Sequence, residues 1–297
     1  MGKALADAFA SARDVFAEVD DALSQKLSRL MWDGPPEDLT LTENAQPAIM
    51  AASIAVVRVL EKEMGLDIAR HARLVAGHSL GEYSALCAAG AFSLADTARL
   101  LKIRGQAMQS AVPVGEGGMT ALIGADIEQA ETVATKAAAD GGTCVVANDN
   151  APGQIVISGT LDALARAADI AKEMGIKRAM PLAVSAPFHC PLMQPAADAM
   201  AEALGKVTIR PLAVPVLANV TAAEANDPET VRRLLVEQVT GRVRWRESVA
   251  ALKGLGAQTT VEFGGKVLTG MVKRIEPSLE MIALEAPADL EAFGKSL

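Results

Sequence analysis

The chain has 297 residues, 51% of them hydrophobic and 22% charged, enough to bury a large core as one large domain or as a domain with an insert. Its 28 lysines and arginines against 36 aspartates and glutamates give a formal charge of −8, and aromatics make up only 3%, so there is neither a basic surface nor a stacking platform for nucleic acid. No apolar run is long enough to span a bilayer, and Lys3, Asp7, Arg13 and Asp14 interrupt any signal-peptide core, which reads as a cytoplasmic protein with no membrane partner.

In chain order, residues 3–30 and 46–64 are helical in period, separated by the loop Gly34-Pro35-Pro36. The apolar run Leu74-Val75-Ala76, in a predicted strand over 73–77, leads into Gly77-His78-Ser79-Leu80-Gly81 and the helix-like Glu82-Tyr83-Ser84-Ala85-Leu86. A serine between glycines at a strand-to-helix turn can take a strained backbone and stand exposed above a sheet. An oxyanion formed on attack by Ser79 would then meet the Leu80 N–H and the positive end of the new helix. By itself the pattern also fits a tight glycine turn.

A further helix is expected from Ser93, and Gly115, Gly117 and Gly118 mark a break. From there the order is strand (119–124), helix (126–140), strand (143–148), turn at Asn150-Ala151-Pro152-Gly153, strand (154–159), helix (161–174) and strand (177–184), the β-α-β-β-α-β order of a ferredoxin-like unit. The remainder carries strands near 214–219 and 259–263. The fold predicted is α/β: an α/β hydrolase-like parallel-sheet domain made of 1–114 and 185–297, with a ferredoxin-like subdomain at 115–184 and a cleft between them. Cys87, Cys144 and Cys190 are odd in number and widely spaced, which fits buried free thiols better than disulfides or a metal site.

A serine nucleophile needs a base, and the chain has three histidines. His71 precedes the strand and reads as a surface or satisfied histidine, while His78, beside the nucleophile on a sharp turn, is expected to support the elbow. His189, in the proline-framed loop Ser185-Ala186-Pro187-Phe188-His189-Cys190-Pro191, is positioned to face the cleft. No aspartate stands out as a third member, so a backbone carbonyl is expected to orient the imidazole. Arg104 falls in the middle of an apolar helical arc formed by Leu100, Leu101, Ile103, Ala107, Met108 and Ala111. It can snorkel, join a structural ion pair, or wait as a fork for a substrate carboxylate.

With these residues the chain resembles the malonyl-CoA:acyl-carrier-protein transacylases of bacterial type II fatty-acid synthesis over nearly its whole length. The landmarks are Glu43-Asn44-Ala45-Gln46-Pro47-Ala48, Ala76 through Leu86, Arg104-Gly105 with Met108-Gln109, Asn150-Ala151-Pro152-Gly153-Gln154, Pro187-Phe188-His189-Cys190, and Lys266-Val267-Leu268-Thr269-Gly270. The resemblance implies Ser79 as nucleophile, His189 as base, Leu80 as an oxyanion-hole N–H and Gln238 as the residue whose carbonyl orients the histidine. It implies Arg104 as carboxylate anchor, with Met108, Phe188 and Gln154 beside it in substrate binding. Phe188 reads as a hydrophobic wedge whose bulk could exclude a branched acyl group. Ping-pong transfer from malonyl-CoA to phosphopantetheinylated acyl carrier protein would need no metal and no cofactor. The other readings are a serine hydrolase of thioesterase or patatin-like type, against which Arg104 argues, and a poorly active scaffold copy.

Two departures keep the last reading open. Family members begin with a short β-strand and a Gly-Gln-Gly loop, whereas Met1 through Ala6 resembles the helix that follows, and Glu262-Phe263-Gly264-Gly265-Lys266 is one residue short in its glycine turn. The expectation is slow turnover and an exposed sheet edge. Arg242, Arg244, Arg246, Lys273 and Arg274 are candidates for contact with an acidic carrier protein.

Overall fold

The computed structural model of the chain describes residues 1–184 and 186–297; Ser185, where the sequence puts the start of the second catalytic segment, lies outside them. The period over 3–30 resolves into the helices Lys3–Ala8, Ala10–Leu23 and Leu27–Asp33. Phe9 is extended and Ser24 left-handed at φ 49°, so the backbone turns at both points while the apolar stripe persists. The chain breaks at Gly34 and Pro35 as expected, and a short helix, Pro36–Thr40, follows the break. The next helix starts at Thr42, a turn before the predicted 46, and runs to Glu63. The Asn44 and Ala45 N–H groups both bond the Leu41 carbonyl and close the first turn, and Pro47 lies just inside the helix, where it lacks the N–H that would bond the Glu43 carbonyl.

Nine strands are described: β1 (Val75–Ala76), β2 (Gly117–Ile123), β3 (Cys144–Ala151), β4 (Gln154–Thr160), β5 (Arg178–Pro181), β6 (Val216–Ala218), β7 (Ala223–Ala225), β8 (Thr259–Phe263) and β9 (Glu280–Leu284). β1 lies parallel to β6, with Val75 opposite Val216, and β7 adds antiparallel to β6. β8 and β9 form a separate parallel pair. The molecule is α/β, but its parallel strands are divided between two small sheets rather than gathered in one.

The stretch from β2 to β5 makes a four-stranded antiparallel sheet in the order β3-β4-β2-β5. Helices Ile127–Ala139 and Leu161–Glu173 bury one of its faces through Leu122, Val133, Ile155, Ile157 and Leu164. The first of these helices is started by a capping box between Asp126 and Gln129. The other face carries Met119, Ala121, Ala147 and Val156, and Phe188 packs against both this patch and the main core. That main core lies among helices Ala10–Leu23, Thr42–Glu63, Leu94–Ser110 and Gln194–Gly205.

The small sheet is tied to the rest of the chain through β3. Asn148 bridges Val243, the Asp149 N–H donates to the Val243 carbonyl at 2.9 Å, and the Val243 N–H donates to the Ala147 carbonyl at 2.8 Å. Arg246 closes on the fully buried Asp149 carboxylate, with its Nε 3.0 Å from both oxygens. No helix among the described residues is long and apolar enough to cross a membrane.

Candidate active site

Ser79 sits between β1 and the helix Leu80–Ala88 at φ 52°, ψ −112°, a conformation that side chains avoid. Gly77 makes the reversal possible, since a Cβ there would stand 1.9 Å from the Gly81 carbonyl oxygen. Gly81 is different: a Cβ there would meet nothing within 4 Å, so only the first flanking glycine is sterically required. The turn is held from below by Asn219, which follows β6. Its Oδ1 accepts from the Ser79 N–H at 2.7 Å and its Nδ2 donates to the Gly77 carbonyl at 2.7 Å. Leu80 opens the helix, where a backbone N–H has no intrahelical acceptor.

His189 also has positive φ, 57°, and is 3% exposed. Its Nε2 lies 2.8 Å from Ser79 Oγ and its Nδ1 2.9 Å from the Gln238 carbonyl oxygen, in the helix Pro228–Thr240. That carbonyl can only accept, so the ring proton is fixed on Nδ1 and Nε2 is left to receive the serine proton. Burial first, and then the Arg104 cation, push the imidazole down to about 3, which keeps it neutral.

Arg104 is 1% exposed on the helix Leu94–Ser110. That helix approaches Thr42–Glu63 so closely that a Cβ on Gly105 would stand 2.5 Å from Glu43 Cα, which brings Gln46 against the guanidinium. Nη1 donates to Gln46 Oε1 at 2.7 Å, and Nη2 donates to Gln238 Oε1 at 2.8 Å and to Ser79 Oγ at 3.1 Å. The guanidinium carbon lies 5.7 Å from the Tyr83 ring centroid. Nε has no hydrogen-bond partner among the described residues, and no carboxylate there forms an ion pair with this arginine. Burial lowers its pKa.

Glu82, 1% exposed, is an acid of the same network, and its Oε2 accepts from Gln238 Nε2 at 2.8 Å and from the Asn219 N–H at 3.1 Å. Burial pushes it up to about 7, against those hydrogen bonds and the Arg104 charge. Gln238 therefore touches every part of the site. Its main chain orients His189, and its side chain joins Arg104, Glu82 and, at 3.0 Å, the Ser79 carbonyl.

The structure thus brings Ser79, His189, Arg104 and Gln238 together within hydrogen-bonding reach. Met108 is buried with its Sδ 3.8 Å from Gln46 Nε2, one residue removed from the guanidinium. Phe188 bridges the two halves of the molecule beside the base. Gln154 stands opposite Ala151 in the β3-β4 hairpin and makes no hydrogen bond with the four among the described residues; Asn150, in the same hairpin, does reach the elbow, with Oδ1 2.7 Å from His78 Nε2. His71 is exposed, and its Nδ1 accepts from the Asp67 N–H. Sequence reasoning missed Gln46, Glu82 and Asn219. The available signal was a polar residue inside each apolar run, buried here at 4%, 1% and 1% exposure.

Three of the five basic residues expected on a docking surface are engaged within the chain. Arg242 pairs with Glu131 at 2.7 Å, Arg244 with Glu247 at 2.5 Å and Arg246 with Asp149 at 2.7 Å. Lys273 and Arg274 are exposed, with no ion pair among the described residues.

A neutral imidazole on a strained serine, beside a buried cation with a spare donor, is suited to attack on a carbonyl whose acyl group carries an anion. Comparison with known proteins agrees with this chemistry. The acyl transferase domain family matches residues 1–268. The malonyl CoA-acyl carrier protein transacylase of Bacillus subtilis strain 168 is 44% identical over 298 residues, covering 100% of this chain and 92% of that protein. A crystal structure of an acyl-carrier-protein-S-malonyltransferase from Bartonella henselae superposes with a TM-score of 0.97 at 53% identity, covering 100% of this chain and 94% of that one. A malonyl-transacylase solved in complex with its type II PKS acyl-carrier protein gives a TM-score of 0.95 at 40% identity, covering 100% and 95%.

Proposed function

The chain belongs to the acyl transferase family, among its malonyl CoA-acyl carrier protein transacylases, and we propose that Ser79, His189 and Arg104 carry its reaction. The enzyme moves a malonyl group from malonyl-CoA to the phosphopantetheine thiol of acyl carrier protein in fatty-acid synthesis. The observation that carries the residue assignment is the chain His189 Nε2, Ser79 Oγ, Arg104 Nη2, linked at 2.8 and 3.1 Å.

Ser79 gives its proton to His189 Nε2 and attacks the thioester carbonyl, and the Leu80 N–H stabilises the oxyanion. The C–S bond breaks, the CoA sulfur leaves with the proton from His189, and a malonyl-serine ester remains with its carboxylate on Arg104. The carrier thiol then gives its proton to His189, attacks the ester, and Ser79 recovers the proton as it leaves. Gln238 holds the imidazole tautomer throughout. Met108 and Phe188 wall the acyl group, Phe188 against branched acyl chains. We place the reaction in the cytoplasm, where Cys87, Cys144 and Cys190 remain thiols. Lys273 and Arg274 are the basic residues left to meet an acidic carrier protein.

Incubation with malonyl-CoA and phosphopantetheinylated carrier protein in water tests this reading. The malonyl group should appear on the carrier thiol, and the Ser79→Ala protein should transfer none. Free malonate as the dominant product would make the enzyme a hydrolase, and transfer by Ser79→Ala would displace the nucleophile.

A further inference from the structure

Arg104 does more than offer a fork to a carboxylate. Its Nη2 donates to Ser79 Oγ at 3.1 Å and so occupies one lone pair of the atom that must attack, while the same oxygen lies 2.8 Å from His189 Nε2. Proton transfer to His189 would therefore create an imidazolium with a single oxygen between it and a fixed guanidinium. Both groups are almost wholly buried, so water does little to screen one cation from the other. Few other charges face the imidazole. His78 lies on the elbow, Glu82 is one amide away behind Gln238, and the helix Pro228–Thr240 contributes the Gln238 carbonyl. None of these is an anion in contact with Arg104.

We propose that the substrate carboxylate activates the Ser79–His189 pair as well as binding to Arg104: seated on the guanidinium, it draws Nη2 off Ser79 Oγ and neutralises the cation that opposes charge on the imidazole. This deepens, and rests on, the reading of Arg104 as carboxylate anchor. A donor is already free for the carboxylate, since Arg104 Nε has no partner among the described residues. Release of the Ser79 contact supplies a second. The depressed basicity of His189, with Arg104 second only to burial among its causes, fits a base that is weak until that charge is cancelled. Selectivity for malonyl would then be expressed in the chemical step and not only in binding.

Single-turnover acylation of the unmodified protein separates the two roles. Malonyl-CoA is compared with malonamyl-CoA, in which an uncharged carboxamide of the same size replaces the carboxylate, and covalent adduct is followed by quenched-flow intact-mass spectrometry. Activation predicts a saturating acylation rate at least about tenfold lower for malonamyl-CoA, the effect of roughly one unit of base strength. It also predicts that Arg104→Gln brings the two saturating rates close together. Equal saturating rates with only a weaker half-saturation for malonamyl-CoA would overturn the proposal and leave Arg104 as a simple anchor. Equal rates with equal half-saturation would remove the anchor reading as well.

Discussion

Ser79 and His189 both hold positive φ, at 52° and 57°, a cost of about 1–3 kcal/mol each that only fixed partners can sustain. For Ser79 that partner is Asn219. Asn219→Ala leaves the Ser79 N–H and the Gly77 carbonyl without it, and urea denaturation should show a loss of about 1–3 kcal/mol along with slower acylation. An unchanged midpoint would mean the elbow is held by its own backbone. Glu82 carries a pH signature. Its folded pKa, raised to about 7, means that the native state binds a proton the unfolded chain releases, so its contribution is present below pH 4.5 and is lost as pH rises through 7. Glu82→Gln should flatten the fall in stability across that window, by up to about 3 kcal/mol, in melting curves taken at successive pH values. His189 shifts the other way: its neutral form is favoured, so its contribution is lost as pH falls from 6.5 toward 3. Ser79 and Arg104 were legible in the sequence because one lies in a short motif and the other breaks a helical apolar arc. Gln46, Glu82 and Asn219 were not, because each becomes a partner only after separate elements meet.

The elbow and the helix pair behind Arg104 are set by two glycines whose missing side chains leave no space. Gly77→Ala would press a methyl to 1.9 Å from the Gly81 carbonyl, and Gly105→Ala to 2.5 Å from Glu43 Cα, both against backbone that cannot rotate away. Each should cost about 1–3 kcal/mol or more, and Gly105→Ala should also weaken malonyl selectivity by moving Gln46. Gly81→Ala is the control. It faces open space on a helix and should leave the melting temperature unchanged or raise stability by up to about 1 kcal/mol. The alternation of β2 through β5 was readable because strong caps and glycine turns punctuate it, as at Asp126 and Gly153. β7 and β9 were not. Ala223–Ala225 has no β-branched residue, and Glu280–Leu284 is an apolar run whose period does not separate strand from helix.

At the scale of the whole molecule, the small sheet and the rest of the chain are coupled by Val243, Arg246 and the His78–Asn150 contact. Arg246→Ala leaves Asp149 buried without its cation and should destabilise the protein by about 2 kcal/mol or more in denaturant titrations. The formal charge of −8 repels an acidic carrier, so docking must depend on local basic groups. Reversing Lys273 and Arg274 to glutamate should raise the KM for carrier protein several-fold, more at low salt, and leave acylation by malonyl-CoA unchanged. The central claim is that the malonyl group passes through Ser79. Peptide-level mass spectrometry after mixing with malonyl-CoA alone should place the malonyl adduct on the peptide containing Ser79, and addition of phosphopantetheinylated carrier protein should remove it as malonyl-carrier appears. An adduct on another residue, or a Ser79 adduct that the carrier does not discharge, would contradict the account.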